Sequence, residues 1–149
     1  MLKTLPFASG PFAAGLLAAG AALALAGAAG AADVTGVWHT AAQGGLIEIA
    51  SCGDSVCGKI IGSPQLAEHP DLKDSRNGNP ALRSRPLKGL VVLQGFHRDG
   101  EAWSGGQLYN PPNGSTYKGE LRLAAPDRLQ VTGCIVPPLC QTQIWSRAK

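Results

Sequence analysis

Thr116-Tyr117-Lys118-Gly119-Glu120-Leu121-Arg122-Leu123 alternates in character at every step. Tyr117, Gly119, Leu121 and Leu123 fall on one face, and Thr116, Lys118, Glu120 and Arg122 on the other. Successive side chains of a strand point to opposite sides, so this stretch reads as a β-strand with one face in a core and one in water. Ala125-Pro126-Asp127 supplies a turn. Beyond it, Leu129, Val131 and Gly133 alternate with Arg128, Gln130 and Thr132, which makes the hairpin partner.

Six more stretches carry the same signature: Gly36–Thr40, Leu46–Ala50, Val56–Ile61, Gly89–Phe96, Glu101–Tyr109 and Gln141–Arg147. Gly-Gly, Cys-Gly-Asp, Arg-Asp-Gly and Pro-Pro-Asn-Gly lie between strands, all of them turn chemistry. No ten-residue stretch shows a 3.6-residue apolar period with a cap at its start, so none of that length reads as a helix. Eight short antiparallel strands suit an up-and-down β-barrel or a sandwich. Closure removes exposed strand edges, which favours the barrel.

The start of the 149-residue chain differs in composition. Lys3 is the sole charge before Asp33, and the run from Pro11 to Ala32 is dominated by Ala, Gly and Leu. A basic start, an apolar run and small residues before a polar chain spell a cleavable signal peptide over residues 1–32, cut between Ala28 and Asp33. A retained membrane anchor is the alternative, but Ala and Gly drive insertion weakly and no Lys/Arg cluster follows. A lipoprotein signal needs a cysteine at the cut, and the first cysteine is Cys52. The expected mature domain, residues 33–149, therefore belongs to an exported protein, periplasmic or secreted, with no stable membrane anchor.

Loss of Lys3 leaves 12 basic against 10 acidic residues, too balanced for bulk attraction to nucleic acid. The four cysteines form two close pairs, Cys52/Cys57 and Cys134/Cys140, each bracketing turn residues. In an oxidising compartment they read as two local disulfides rather than a four-thiolate zinc site. His39, His69 and His97 have no metal-ligand spacing. No nucleophile elbow, phosphate loop or dinucleotide fingerprint is present. With the thiols in bridges, the reading is not an enzyme, with no cofactor. Glu48 lies between Ile47 and Ile49 and is expected to face solvent.

One connection is too long for a turn. Gly62–Lys88 holds four prolines and no strand pattern, and loops of this length in a compact domain are usually functional or disordered. From Ser75 to Arg98 there is no acidic residue, yet Arg76, Arg83, Arg85, Lys88, His97 and Arg98 occur. These arginines either bond nearby carbonyls and Asp71 or Asp74, or form an anion site at a barrel mouth. The ligand-binding expectation rests on Arg76, Arg83, Arg85, Lys88 and Tyr109.

Gly36-Val37-Trp38 on the first strand and Trp145-Ser146-Arg147 on the last resemble lipocalin-like barrels, in which a basic residue of the last strand packs over the Trp. Structural roles are therefore expected for Trp38 and Arg147. A wider resemblance runs through Cys52-Gly53-Asp54, Cys57-Gly58, Asn79 to Leu90, Gly95-Phe96, Trp103 to Pro111, Tyr117 and Gln141 to Arg147. The chain resembles the DUF2147 family of exported bacterial proteins of undefined function. It departs from that pattern at Lys88, where an apolar residue is commoner, and at Ser115, where Lys is common. The resemblance implies a lipocalin-like β-barrel and no established catalytic residue.

Two functional readings follow. In the first, the barrel is a non-enzymatic binding protein for a small apolar or amphipathic ligand, such as a fatty acid with its head at the arginines. In the second, it is a structural or interaction protein whose interior is filled by Trp38, Phe96, Trp103, Tyr109, Tyr117 and Trp145.

Overall fold

The computed structural model describes residues 33–149. The expected signal peptide, residues 1–32, lies outside the described residues. Eight strands close a barrel in chain order: β1 (Gly36–His39), β2 (Leu46–Cys52), β3 (Ser55–Gly62), β4 (Val91–Asp99), β5 (Ala102–Asn110), β6 (Ser115–Ala125), β7 (Arg128–Val136) and β8 (Leu139–Arg147). Every neighbouring pair is antiparallel, including β1 with β8. The chain is thus an all-β, lipocalin-like, up-and-down barrel.

All eight expected strands are present, with shifted ends. β4 begins at Val91 rather than Gly89, because Gly89 takes φ +83°, a turn conformation outside strand geometry. β7 runs three residues further than the alternation indicated, to Val136, and β8 begins two residues earlier, at Leu139. The long connection also holds two short helical elements, α1 (Pro64–Glu68) and a 3-10 turn at Pro80–Leu82. Each is local in origin: Ser63 and Asn79 accept cap bonds from Leu66 N–H and Ala81 N–H, and a proline follows each cap. Elements of five and three residues are too short to leave a helical period in sequence.

Because strands alternate in direction, the connections segregate. The short hairpins after β2, β4 and β6 lie at one end, with the start of β1 and the end of β8. The other end carries the β1–β2 turn, the long segment between β3 and β4, and the β5–β6 and β7–β8 hairpins. We call these the closed end and the loop-bearing end.

The interior is filled. Trp38, Phe96, Ile49, Leu93, Leu121 and Leu129 are fully buried, and Trp103, Val131 and Trp145 nearly so. Each such side chain contributes roughly 1.5–3 kcal/mol relative to exposure. The fit depends on a row of glycines. Gly106 pairs with Gly119, and Gly119 with Gly133, so three adjacent strands present bare backbone at one level of the wall. The Phe96 ring lies against the first two: a Cβ at Gly106 would come within 2.4 Å of it, and one at Gly119 within 2.6 Å. Leu108 occupies the space before Gly133 in the same way, at 3.1 Å. A larger residue at Gly106 or Gly119 would collide with the Phe96 ring that these glycines admit, whereas at Gly133 the Leu108 side chain would have to shift by a few tenths of an ångström.

Candidate functional site

At the loop-bearing end, the segment between β3 and β4 is fastened to the barrel by a buried polar cluster. Its centre is Asp74, whose side chain is 0% exposed. The Tyr109 hydroxyl, from the end of β5, donates to Asp74 Oδ1 at 2.5 Å. Asn77 Nδ2 donates to Asp74 Oδ2 at 2.8 Å and lies 2.9 Å from the Tyr109 hydroxyl. Arg85 Nε and one terminal guanidinium nitrogen each lie 2.9 Å from Asp74 Oδ2. A buried carboxylate is costly unless paired and hydrogen-bonded, and this one is both.

The local fold explains the meeting. Leu72 and Leu87, and Asp74 and Arg85, are joined by backbone bonds, with an isolated bridge between Lys73 and Pro86. The loop therefore folds back on itself as an extended ladder, which brings Arg85 beside Asp74. Burial first, then the hydrogen bond to Asp74 and its negative charge, raise the Tyr109 phenol above its ordinary value of 10.0.

Five residues were expected to bind an anion, and the fold distributes them. Arg85 is held by Asp74 and lies 5.4 Å from the Tyr109 ring centre. Tyr109 belongs to the same cluster. Arg83 Nε donates to the Asn77 carbonyl at 2.8 Å, and Arg76 donates to the Pro112 carbonyl at 3.0 Å, tying the loop to the β5–β6 hairpin. Lys88 is exposed. Among the described residues, Arg76, Arg83 and Lys88 form no ion pair with a carboxylate. Asp74 was weighed in the sequence only as a partner for loop arginines, and Asn77 carried no signal beyond its place in the loop. Asp71 and Asp74, the last acids before a long acid-free, arginine-bearing segment, were the available clue.

The closed end is sealed by Arg147 over Trp38, with the guanidinium carbon 4.2 Å from the ring centre. The guanidinium donates to the carbonyls of Thr35 at 2.7 Å, Pro126 at 2.9 Å and Asp33 at 3.0 Å. Trp38 donates its indole N–H to the Val34 carbonyl at 2.8 Å. The cysteines lie as Cys52–Cys57 and Cys134–Cys140 pairs, one at each end of the barrel. Glu48 faces outward and pairs with Lys59 at 2.9 Å.

Of two surface recesses, of about 380 and 540 Å³, the first lies at the closed end and the second runs along β1 from Gly36 to the β1–β2 turn. Asp54, Ser55, Arg98 and Trp103 border the first, and His39, Leu46 and Arg147 the second. Neither touches the expected anion-binding residues. Among the described residues no three His, Cys, Asp or Glu side chains gather as metal ligands.

The family model for uncharacterized proteins conserved in bacteria, DUF2147, matches residues 36–147. No curated protein sequence matches. Among solved structures, protein HP1028 from Helicobacter pylori, described as belonging to the lipocalin family, is similar with a TM-score of 0.70. The two are 22% identical, over 78% of this chain and 84% of that one. That likeness is one of fold.

Proposed function

This chain belongs to the DUF2147 family of bacterial proteins, and we propose that it is an exported, non-enzymatic interaction protein of the cell envelope. Its barrel is a packed scaffold, and its contacts are made by the exterior. One observation carries this reading: Phe96 fills the space before Gly106 and Gly119, where a ligand tail would otherwise lie. The two cysteine pairs and the bacterial family fit an oxidising, exported setting. The Asp74 cluster is used in fastening the loop, and no metal-ligand cluster stands among the described residues, so the reading assigns no reaction to the site.

Titration of the purified protein with a fluorescent long-chain fatty acid tests the reading. The expected result is no saturable binding. Saturable binding that displaces with unlabelled fatty acid would overturn it.

A second reading has one observation in its favour. Arg83 and Lys88 are exposed at the loop-bearing end and unpaired with any carboxylate among the described residues, so an anionic head group would meet them there. A small amphipathic ligand would then lie across the mouth, near Leu108 and Tyr117, rather than inside. On this reading Arg83→Ala with Lys88→Ala weakens fatty-acid binding at least about tenfold, about 1.4 kcal/mol.

A further inference from the structure

β8 is nine residues long, but β1 pairs with only two of them: Trp38 lies opposite Arg147, and His39 opposite Ser146. On its other side, β8 pairs with β7 from Ser146 up to Leu139. The barrel is therefore closed at its base, while Leu139–Trp145 forms a sheet edge with no strand beside it among the described residues. Leu139 through Ile144 are all exposed, Leu139 at 64% and Ile144 at 45%. The direction of the backbone groups follows from their neighbours. Ala148 N–H donates to Val37 on β1, whereas Arg147 N–H donates to Asp127 on the β7 side. Successive residues of a strand alternate in this respect, so Thr142 and Ile144 turn both N–H and C=O to the open edge.

Natural sheets protect such edges with charge, proline or a bulge. Leu139-Cys140-Gln141-Thr142-Gln143-Ile144-Trp145-Ser146 has no charge and no proline. The segment is also a palindrome in character. Gln141 and Gln143 flank Thr142, Cys140 and Ile144 flank those, and Leu139 and Trp145 stand outermost.

We propose that this edge pairs with the same edge of a second copy, antiparallel about a twofold axis through Thr142. That arrangement places Thr142 opposite Thr142, Gln141 opposite Gln143 and Cys140 opposite Ile144 across the two chains. The like-natured pairs then coincide on each face of the joined sheet. The Thr142 residues exchange two backbone bonds. Ile144 N–H of each copy meets the Cys140 carbonyl of the other, which the same alternation turns to the open edge, while the Cys140 N–H stays on the Pro138 carbonyl at 2.9 Å. A contact of this kind is isologous and closed, so it stops at the dimer. The uncharged, self-matching strand is what selects a second copy over a foreign peptide. The inference does not depend on what the loop-bearing end binds.

Light scattering on the full chain with both disulfides intact, over a wide concentration range, tests the proposal. A monomer–dimer equilibrium is expected. Thr142→Lys places two like charges opposite each other at the axis and should raise the dimer Kd at least about tenfold, with the monomer's melting temperature lowered only slightly, because the side chain is exposed and gives up one hydroxyl contact with Thr132 at 2.9 Å. Thr142→Cys should give a covalent dimer under mild oxidation, with peptide mapping placing the new link between the two substituted positions. A wild type that stays monomeric at millimolar concentration overturns the proposal. So does a dimer that persists undiminished in Thr142→Lys, which would place the contact elsewhere. A monomer that takes a foreign strand at this edge overturns the choice of a second copy.

Discussion

Arg147 stacks on Trp38 at 4.2 Å while its guanidinium holds three carbonyls, those of Asp33, Thr35 and Pro126. One side chain thereby joins the chain entry, the β6–β7 turn and the last strand. Arg147→Ala should lower stability by about 1–3 kcal/mol, through lost stacking and unpaired carbonyls. Arg147→Lys should recover only part of this, since an ammonium lacks the planar fork. Urea denaturation of the three proteins checks both statements.

Gly119 tests how full the barrel is. Its added Cβ would come within 2.6 Å of Phe96 and 2.8 Å of Leu108. Gly119→Ala should therefore cost about 1–3 kcal/mol by overpacking. Gly78→Ala, where a Cβ meets nothing within 4 Å, should be near neutral. Equal and small effects from both would mean that the interior has room to spare.

Loss of Arg85 leaves a buried carboxylate. Arg85→Ala should cost about 2–4 kcal/mol, because Asp74 is fully buried while Arg85 itself is partly in water. The loop between β3 and β4 should then become sensitive to proteolysis at native conditions. Arg83→Ala removes a single bond to the Asn77 carbonyl at an exposed side chain and should cost less than about 1 kcal/mol. Unfolding curves and limited proteolysis separate the two arginines.

Tyr109 gives stability a pH dependence at the alkaline side. Its folded pKa is raised above 10.0, so the folded state holds the proton more tightly than the unfolded chain. The contribution is fully present below the ordinary tyrosine value and is lost as pH rises from there through the folded value. Ionisation would set a phenolate against the Asp74 carboxylate. Stability measured from neutral pH upward should fall more steeply in the wild type than in Tyr109→Phe, whose curve lacks this loss.

The strands were legible because one face of each meets a filled core and the other meets water, as Tyr117–Leu123 shows residue by residue. The cysteine pairs were legible because each brackets a turn. The site was not. Asp74 and Arg85 are eleven residues apart in a segment without period, and only the ladder between Lys73 and Pro86 makes them neighbours. The sequence therefore left Arg85 open between an anion site and a bond to Asp71 or Asp74, and the fold gives it the buried Asp74. A filled interior was one of two readings the sequence left open; what decides it is Gly106, Gly119 and Gly133 falling in register, and register is a property of pairing.

Native mass spectrometry of the protein purified from its own host tests the packed-scaffold account most directly. The expected spectrum shows the chain with both disulfides formed and no small molecule attached, as monomer or dimer. A stoichiometric lipid or fatty acid that survives gentle desolvation, and that disappears only on unfolding, would contradict it.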